Sequence, residues 1–296
     1  MNRYLIISLF AILVGFCWSC KGEDEPTPIP EPEPVGAEWI DPFFARELKK
    51  RGYITDAANV TPSDVKAIEL LNVGGSEEEW GGLKSLRGIE YFESLKQLNC
   101  AYNEIAELDL SKNSQLVRVG CSYNQLKSLD VSKNAQLDLL LCYCNQLTVL
   151  DVSKNPRLYY LDCEDNLLST LDVRNNIPLK ILYCGRNQLT SLDISKNTCL
   201  ENLDCSKNQL VSLGIGKNTQ LTSLYCSDNH LEMIDISKNL NLEHLVCYKN
   251  PGLNNVFEVV AWFDNNNIPD GFPRRGNGSA TWYFNDEVVV LNYKKS

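Results

Sequence analysis

The residues with the most chemistry to offer are cysteines. Eight of them, Cys100, Cys121, Cys142, Cys163, Cys184, Cys205, Cys226 and Cys247, follow one another at intervals of 21 residues. Sulfur at a fixed spacing has three uses: paired in disulfides, gathered around a metal, or buried as thiols that pack like small hydrophobes. A metal needs ligands that cluster in space, and the two histidines, His230 and His244, do not share the cysteine spacing. No metal and no cofactor are therefore expected. Adjacent carboxylates such as Glu164 and Asp165 alternate sides on an extended chain and do not form an acid–base pair. The sequence contains neither a nucleophile elbow nor a phosphate-cradling glycine loop, so no enzymatic activity is expected. The net charge of −10 argues against nucleic acid as a partner. Basic runs such as Lys49-Lys50-Arg51 are too short to hold an anionic membrane surface.

The elements that position the thiols follow from the rest of the period. Three residues after each of these cysteines stands an asparagine, from Asn103 to Asn250, and one unit reads Leu116-x-x-Val119-x-Cys121-x-x-Asn124-x-Leu126-x-x-Leu129-Asp130-Val131-x-x-Asn134. Val119 and Cys121 are two apart, so on a strand both point to one side and their neighbours to the other. A single unit cannot bury its apolar side. Units stacked at ~4.8 Å make a parallel sheet whose inward residues form columns of leucine, cysteine and leucine. The pattern LxxLxCxxNxL resembles the leucine-rich repeats, especially the secreted, internalin-like bacterial form with a 21-residue unit, over roughly two thirds of the chain. The resemblance implies a repeat solenoid with short parallel strands on the concave face and turn-like or extended convex segments. Thiols in such a stack run parallel instead of converging, at a position where related repeats carry leucine, so they are read as buried and reduced. Cys144, near a strand end, and Cys199, on a convex turn, face different sides and do not pair.

The asparagine column needs a side chain that donates and accepts, because the backbone loses its sheet partners where each strand turns away. A second column, Asp109, Asp130, Asp151, Asp172, Asp193 and Asp235 with Asn113 through Asn239, has residue types that close turns with their own side chains, and is expected to shape the convex side. A stack also needs caps. Residues 39–67 are read as a small helical N-terminal cap, with one helix from Phe43 to Tyr53 after Asp41-Pro42 and a shorter one from Thr61 towards Ile68. The repeats are placed at 68–253, beginning with an atypical strand in Ile68–Val73, followed by an irregular insertion at Gly74–Gly82. Residues 254–296 are read as a β-rich C-terminal cap: a short helix at Asn254–Phe263, then two strands around Asn285-Asp286 as a hairpin. Its Trp262, Phe272, Trp282 and Tyr283 could equally serve a small binding module.

Residues 1–19 have the charge and apolar run of a signal peptide. Ser19-Cys20 resembles a bacterial lipobox, which implies that Cys20 carries a lipid and becomes the mature N-terminus. The acidic run after it is similar to the signal that sends lipoproteins of Bacteroidetes-type bacteria to the outer face of the outer membrane. Residues 20–38, rich in proline and acid, form a tether that spans up to ~55 Å when extended. Membrane contact is thus expected through the lipid only, on a monomer at the cell surface.

Adhesins and internalin-like binders, which the chain resembles, imply recognition of a protein or glycan through the concave face. An adaptor role within an outer-membrane surface complex is the alternative. The residues flanking the core positions of the strands are not uniformly polar: Leu139, Tyr160 and Ile181 recur in one column, Leu141, Asp162 and Tyr183 in the next, with Tyr143 beside them and Tyr225 and Tyr248 farther along. They are expected to form an exposed apolar, aromatic and acidic patch on adjacent strands, and such patches mark interaction sites.

Overall fold

The computed structural model describes residues 38–252, 257–261, 281–283 and 289–293. The expected signal peptide, Cys20 and nearly all of the tether lie outside the described residues, as do Trp262 and Phe272. Helix α1, Pro42–Lys50, starts where Asp41 accepts hydrogen bonds from the N–H groups of Phe43 (2.9 Å) and Phe44 (3.0 Å). It stops three residues short of the expected Tyr53, because Gly52 takes a left-handed φ of 78°. The Tyr53 hydroxyl instead accepts the Asn72 N–H at 2.8 Å. Helix α2, Pro62–Val65, is a single turn bounded by Thr61 and Asp64, and does not reach Ile68. Phe44, Leu48 and Val65 bury their side chains against the first repeat, with Phe44 stacked on Phe92 at 5.8 Å. The α-helical cap therefore closes the open end of the core.

Strand β1, Leu70–Asn72, begins the stack. After a 3-10 turn at Ile89–Tyr91 come β2 Gln97–Asn99, β3 Arg118–Gly120, β4 Leu139–Leu141, β5 Tyr160–Asp162, β6 Ile181–Tyr183, β7 Asn202–Asp204 and β8 Ser223–Tyr225. The remaining strands are β9 Met233–Asp235, β10 His244–Val246, β11 Phe257–Ala261, β12 Thr281–Tyr283 and β13 Val289–Tyr293. The concave sheet is parallel and ten-stranded, in the order β1 to β8, then β10 and β12. Its register steps by one repeat without a slip, so Val119 lies beside Leu140 and Leu140 beside Leu161. The eight ladder cysteines are buried, and those from Cys100 to Cys226 are free thiols, as the spacing implied. Burial raises their thiol pKa values, to about 12 for Cys121 and Cys247, so neither metal-ligating nor nucleophilic thiolate is present at neutral pH. Among the described residues no cluster of candidate metal ligands occurs.

Each asparagine after a ladder cysteine both donates and accepts. Asn166 Nδ2 donates to the carbonyls of Cys142 (3.1 Å) and Cys163 (3.2 Å), and its Oδ1 accepts the Leu147 N–H at 2.9 Å. The second column divides in a way the sequence reading did not anticipate. The aspartates close their own turns, as Asp151 does by accepting the Ser153 N–H at 2.8 Å. The asparagines from Asn113 to Asn239 do not. They are fully buried, and Asn155 Nδ2 donates back to Val131 O and Asn134 O, each at 3.0 Å, while its Oδ1 has no partner.

The C-terminal segment corrects two expectations. The predicted helix at Asn254–Phe263 is strand β11, with Val259 and Ala261 buried and Glu258 and Val260 partly exposed, the alternation of a strand. It pairs in parallel with β9 on one side and β13 on the other. The last two strands are not a hairpin: β12 joins β10 in the concave sheet, while β13 joins β11 in the second sheet. Open sheet edges carry unpaired N–H and C=O groups, and the chain extends the stack past β10 and β9 by adding β12 to the one and β11 to the other.

Candidate binding surface

Strand register places the predicted site residues in two concave rows. Leu139, Tyr160 and Ile181 are mutual neighbours across β4, β5 and β6, as are Leu141, Asp162 and Tyr183. Tyr160 and Tyr183 meet edge-to-face, with ring centroids 5.9 Å apart. Tyr143 follows β4. Tyr225 on β8 stands apart from this group, two strands beyond Tyr183, and Tyr248 follows β10 with the Lys249 ammonium 5.7 Å from its ring.

Exposure departs from the expectation. Leu139 (5%), Ile181 (6%), Asp162 (9%) and Tyr183 (9%) are buried. Side chains ~4.8 Å apart on one face of a sheet cover one another, and bulky neighbours on both sides leave little free area. The half-buried members are Leu141, Tyr143, Tyr160, Tyr225 and Tyr248. The acidic members also have structural tasks: Asp162 Oδ1 accepts the Glu164 N–H at 3.2 Å, and Glu164 faces Arg186 at 3.7 Å. On the other flank Arg118 pairs with Asp138 at 3.5 Å, whose pKa is raised by desolvation against the pull of the guanidinium. The surface thus has an apolar, tyrosine-bearing centre between two ion pairs. His230 is exposed, His244 is half-buried, and neither belongs to it.

Two features escaped the sequence reading. Tyr102, Tyr123, Cys144, Asp165, Arg186, Lys207, Asp228 and Lys249 all have φ between 51° and 56°. Each precedes a ladder asparagine, and the left-handed conformation costs roughly 1–2 kcal/mol for a residue with a Cβ. The second is an aromatic cluster. Tyr102 stacks on Tyr123 at 4.2 Å, Tyr123 meets Tyr143 edge-on at 5.3 Å, and Trp80 from the 74–82 insertion stands against both Tyr102 and Tyr123. Its signal was present as tyrosines 21 residues apart, at Tyr102 and Tyr123.

Short parallel strands stacked one per repeat, a buried cysteine column and an asparagine column define a β-solenoid of the leucine-rich-repeat kind. Solved structures agree. A leucine-rich-repeat protein of Leptospira interrogans is 25% identical over 64% of this chain and 50% of its own, with a TM-score of 0.58. Internalin C2 of Listeria monocytogenes is 19% identical over 90% of this chain and all of its own, with a TM-score of 0.52. The functional domain of InlJ from Listeria monocytogenes, which includes a cysteine ladder, is 29% identical over 68% of this chain and 55% of its own, with a TM-score of 0.41. The match spans about half the length of the Leptospira and InlJ chains. No protein-family model and no curated protein matches the chain. The structural neighbours are internalin-like leucine-rich-repeat proteins with a solenoid fold.

Proposed function

We propose that this chain is a non-enzymatic binding protein of the cell surface, anchored by lipid at Cys20, that holds a protein partner on its concave face. The observation that carries the binding reading is the centre of β4–β6, where Leu141 and Tyr160 present partly accessible apolar area over a rigid bed of Leu139, Ile181 and Tyr183, flanked by the Arg118–Asp138 and Arg186–Glu164 pairs. Preordered tyrosine and aliphatic area inside a charged rim is the composition of interface hot spots. Because these side chains are already packed, little conformational entropy is lost on association. The anchor and outer-membrane location rest on residues 1–38 of the sequence alone.

The test is capture of partners from host and envelope extracts by the full chain, repeated with Leu141→Ser/Tyr160→Ser. Both residues are half-buried, so the variant should keep its fold by circular dichroism. Retention of a saturable partner by the parent chain, weakened at least tenfold in the variant, is expected. Equal retention by both would remove the β4–β6 surface from the function.

A further inference from the structure

The insertion at 74–82 is folded tightly onto the second and third repeats. Gly75 N donates to Ala101 O at 2.9 Å, Gly81 N to Tyr102 O at 2.8 Å, and Ser76 N to Glu79 O at 2.7 Å. A Cβ on Gly75 would stand 2.5 Å from Gly81 N, and one on Gly81 2.2 Å from Asn103 Oδ1, so the path requires glycine at both. This closure delivers Trp80 to a fixed place. Its ring centroid lies 6.0 Å from Tyr102 and 6.4 Å from Tyr123, nearly perpendicular to both, while those two rings stack on each other. The indole therefore stands beside the stacked pair instead of capping it. It remains 52% exposed.

Trp80 borders a cavity of about 250 Å³ between the end of α1 and the first two strands. Arg51 builds one wall by donating to Asn72 O (3.2 Å) and Gly74 O (2.7 Å) and pairing with Glu47. Asn72 and Asn99 line another. Each spends its Oδ1 on its own turn, accepting from Gly74 N (3.2 Å) and Ala101 N (3.1 Å) respectively. Neither Nδ2 has an acceptor among the described residues, although Asn99 is only 7% exposed. Both donors open onto the cavity and are free to bond a guest that enters it. Glu47 and Glu79 balance Lys50 and Arg51 in formal charge, so the cavity favours a neutral guest. Its volume lies below the ~300–1,000 Å³ of sites for drug-sized ligands.

We propose that this cavity binds the terminal residue of a neutral glycan, with a pyranose C–H face on the Trp80 indole and hydroxyl oxygens accepting from Asn72 and Asn99 Nδ2. The indole supplies the apolar face and the carboxamides the directed donors. The exposed Glu79 carboxylate accepts a hydrogen bond from a further hydroxyl. The site shares no residue with the β4–β6 surface and stands or falls separately from it.

Saturation-transfer NMR on the full chain tests this with the methyl glycosides of glucose, galactose, mannose and N-acetylglucosamine, with sialic acid as charged control and a proline-rich decapeptide as rival. At least one neutral glycoside should receive saturation on the protons of one ring face. The signal should fall at least tenfold in Trp80→Ala and in Asn99→Asp, which keeps the Oδ1 acceptor and loses the donor, with circular dichroism unchanged. Leu141→Ser/Tyr160→Ser should leave it intact. The proposal is overturned by no transfer to any neutral glycoside, by transfer that persists in Trp80→Ala, or by transfer to sialic acid or the peptide alone.

Discussion

Asn166 and Asn155 look alike in the sequence and are both buried, yet truncating them to alanine should differ in cost. Asn166→Ala orphans one backbone group, the Leu147 N–H, and removes one of two asparagine donors from each of the Cys142 and Cys163 carbonyls, which keep Asn145 Nδ2 (3.1 Å) and Asn187 Nδ2 (3.0 Å). At roughly 1–3 kcal/mol for the orphaned N–H and ~0.5–1.5 kcal/mol for each of the two carbonyl bonds lost, the loss is about 2–6 kcal/mol. Asn155→Ala removes two hydrogen bonds, but Val131 O still accepts from Asn134 N, and Asn134 O from Leu137 N, each at 3.0 Å. It also removes an Oδ1 that is buried without a partner. Two lost bonds at ~0.5–1.5 kcal/mol each, less the relief of that oxygen, give about 1–2 kcal/mol. Urea melts followed by circular dichroism measure both, and with a slope of ~3 kcal/mol/M the first variant moves the midpoint by about 1 M and the second by about half of that. Equal midpoint shifts, or a loss below about 1 kcal/mol for Asn166→Ala, would refute the assignment of an orphaned N–H.

The thiol column makes the fold sensitive to alkali. Burial raises the folded pKa values, so the contribution of the thiols is fully present below the unfolded value of ~8.5 and is lost as pH rises. By pH 10 each protonated thiol has cost ~2 kcal/mol relative to neutral pH, and eight together exceed the ~5–15 kcal/mol of a typical domain. Cooperative unfolding between about pH 9 and 10 is expected, and ellipticity unchanged at pH 10.5 would contradict it. Cys163→Ser should cost about 1–2 kcal/mol at pH 7 and less at pH 10, because serine does not ionise; the comparison is read from urea midpoints at the two pH values. Lys207→Gly should stabilise by about 0.5 kcal/mol, the relief at a φ of 54° exceeding the added unfolded-state entropy, and a lower melting temperature would argue against backbone cost there. Cys20→Ser should abolish incorporation of radiolabelled palmitate and release the protein from the envelope; label retained by the variant would place the lipid elsewhere.

What could be read from the residues was whatever one repeat repeats. The 21-residue recurrence of cysteine and asparagine implied the strand, the inward columns and the reduced thiols, because each depends on contacts between identical positions of adjacent units. The left-handed row was illegible for the opposite reason: Tyr102, Cys144, Asp165 and Lys207 share no chemistry, only the position before a ladder asparagine. The two asparagine columns could not be told apart, since one residue type bonds through both ends of its amide in Asn166 and through only one in Asn155. Strand β11 was missed because its partner, Met233–Asp235, belongs to a convex segment that no earlier repeat turns into a strand. The same limit governs the concave face. Alternation put Leu139 and Ile181 on the face opposite the inward leucine column, but side and exposure are different quantities on a sheet whose neighbours lie ~4.8 Å apart. Leu139 and Ile181 are covered by the side chains beside them, whereas Trp80, on a loop that had no repeat to predict it, is left open. Recognition by such a solenoid should therefore begin where the period breaks, at residues held up by glycine-dependent loops, and spread from there onto the ordered rows.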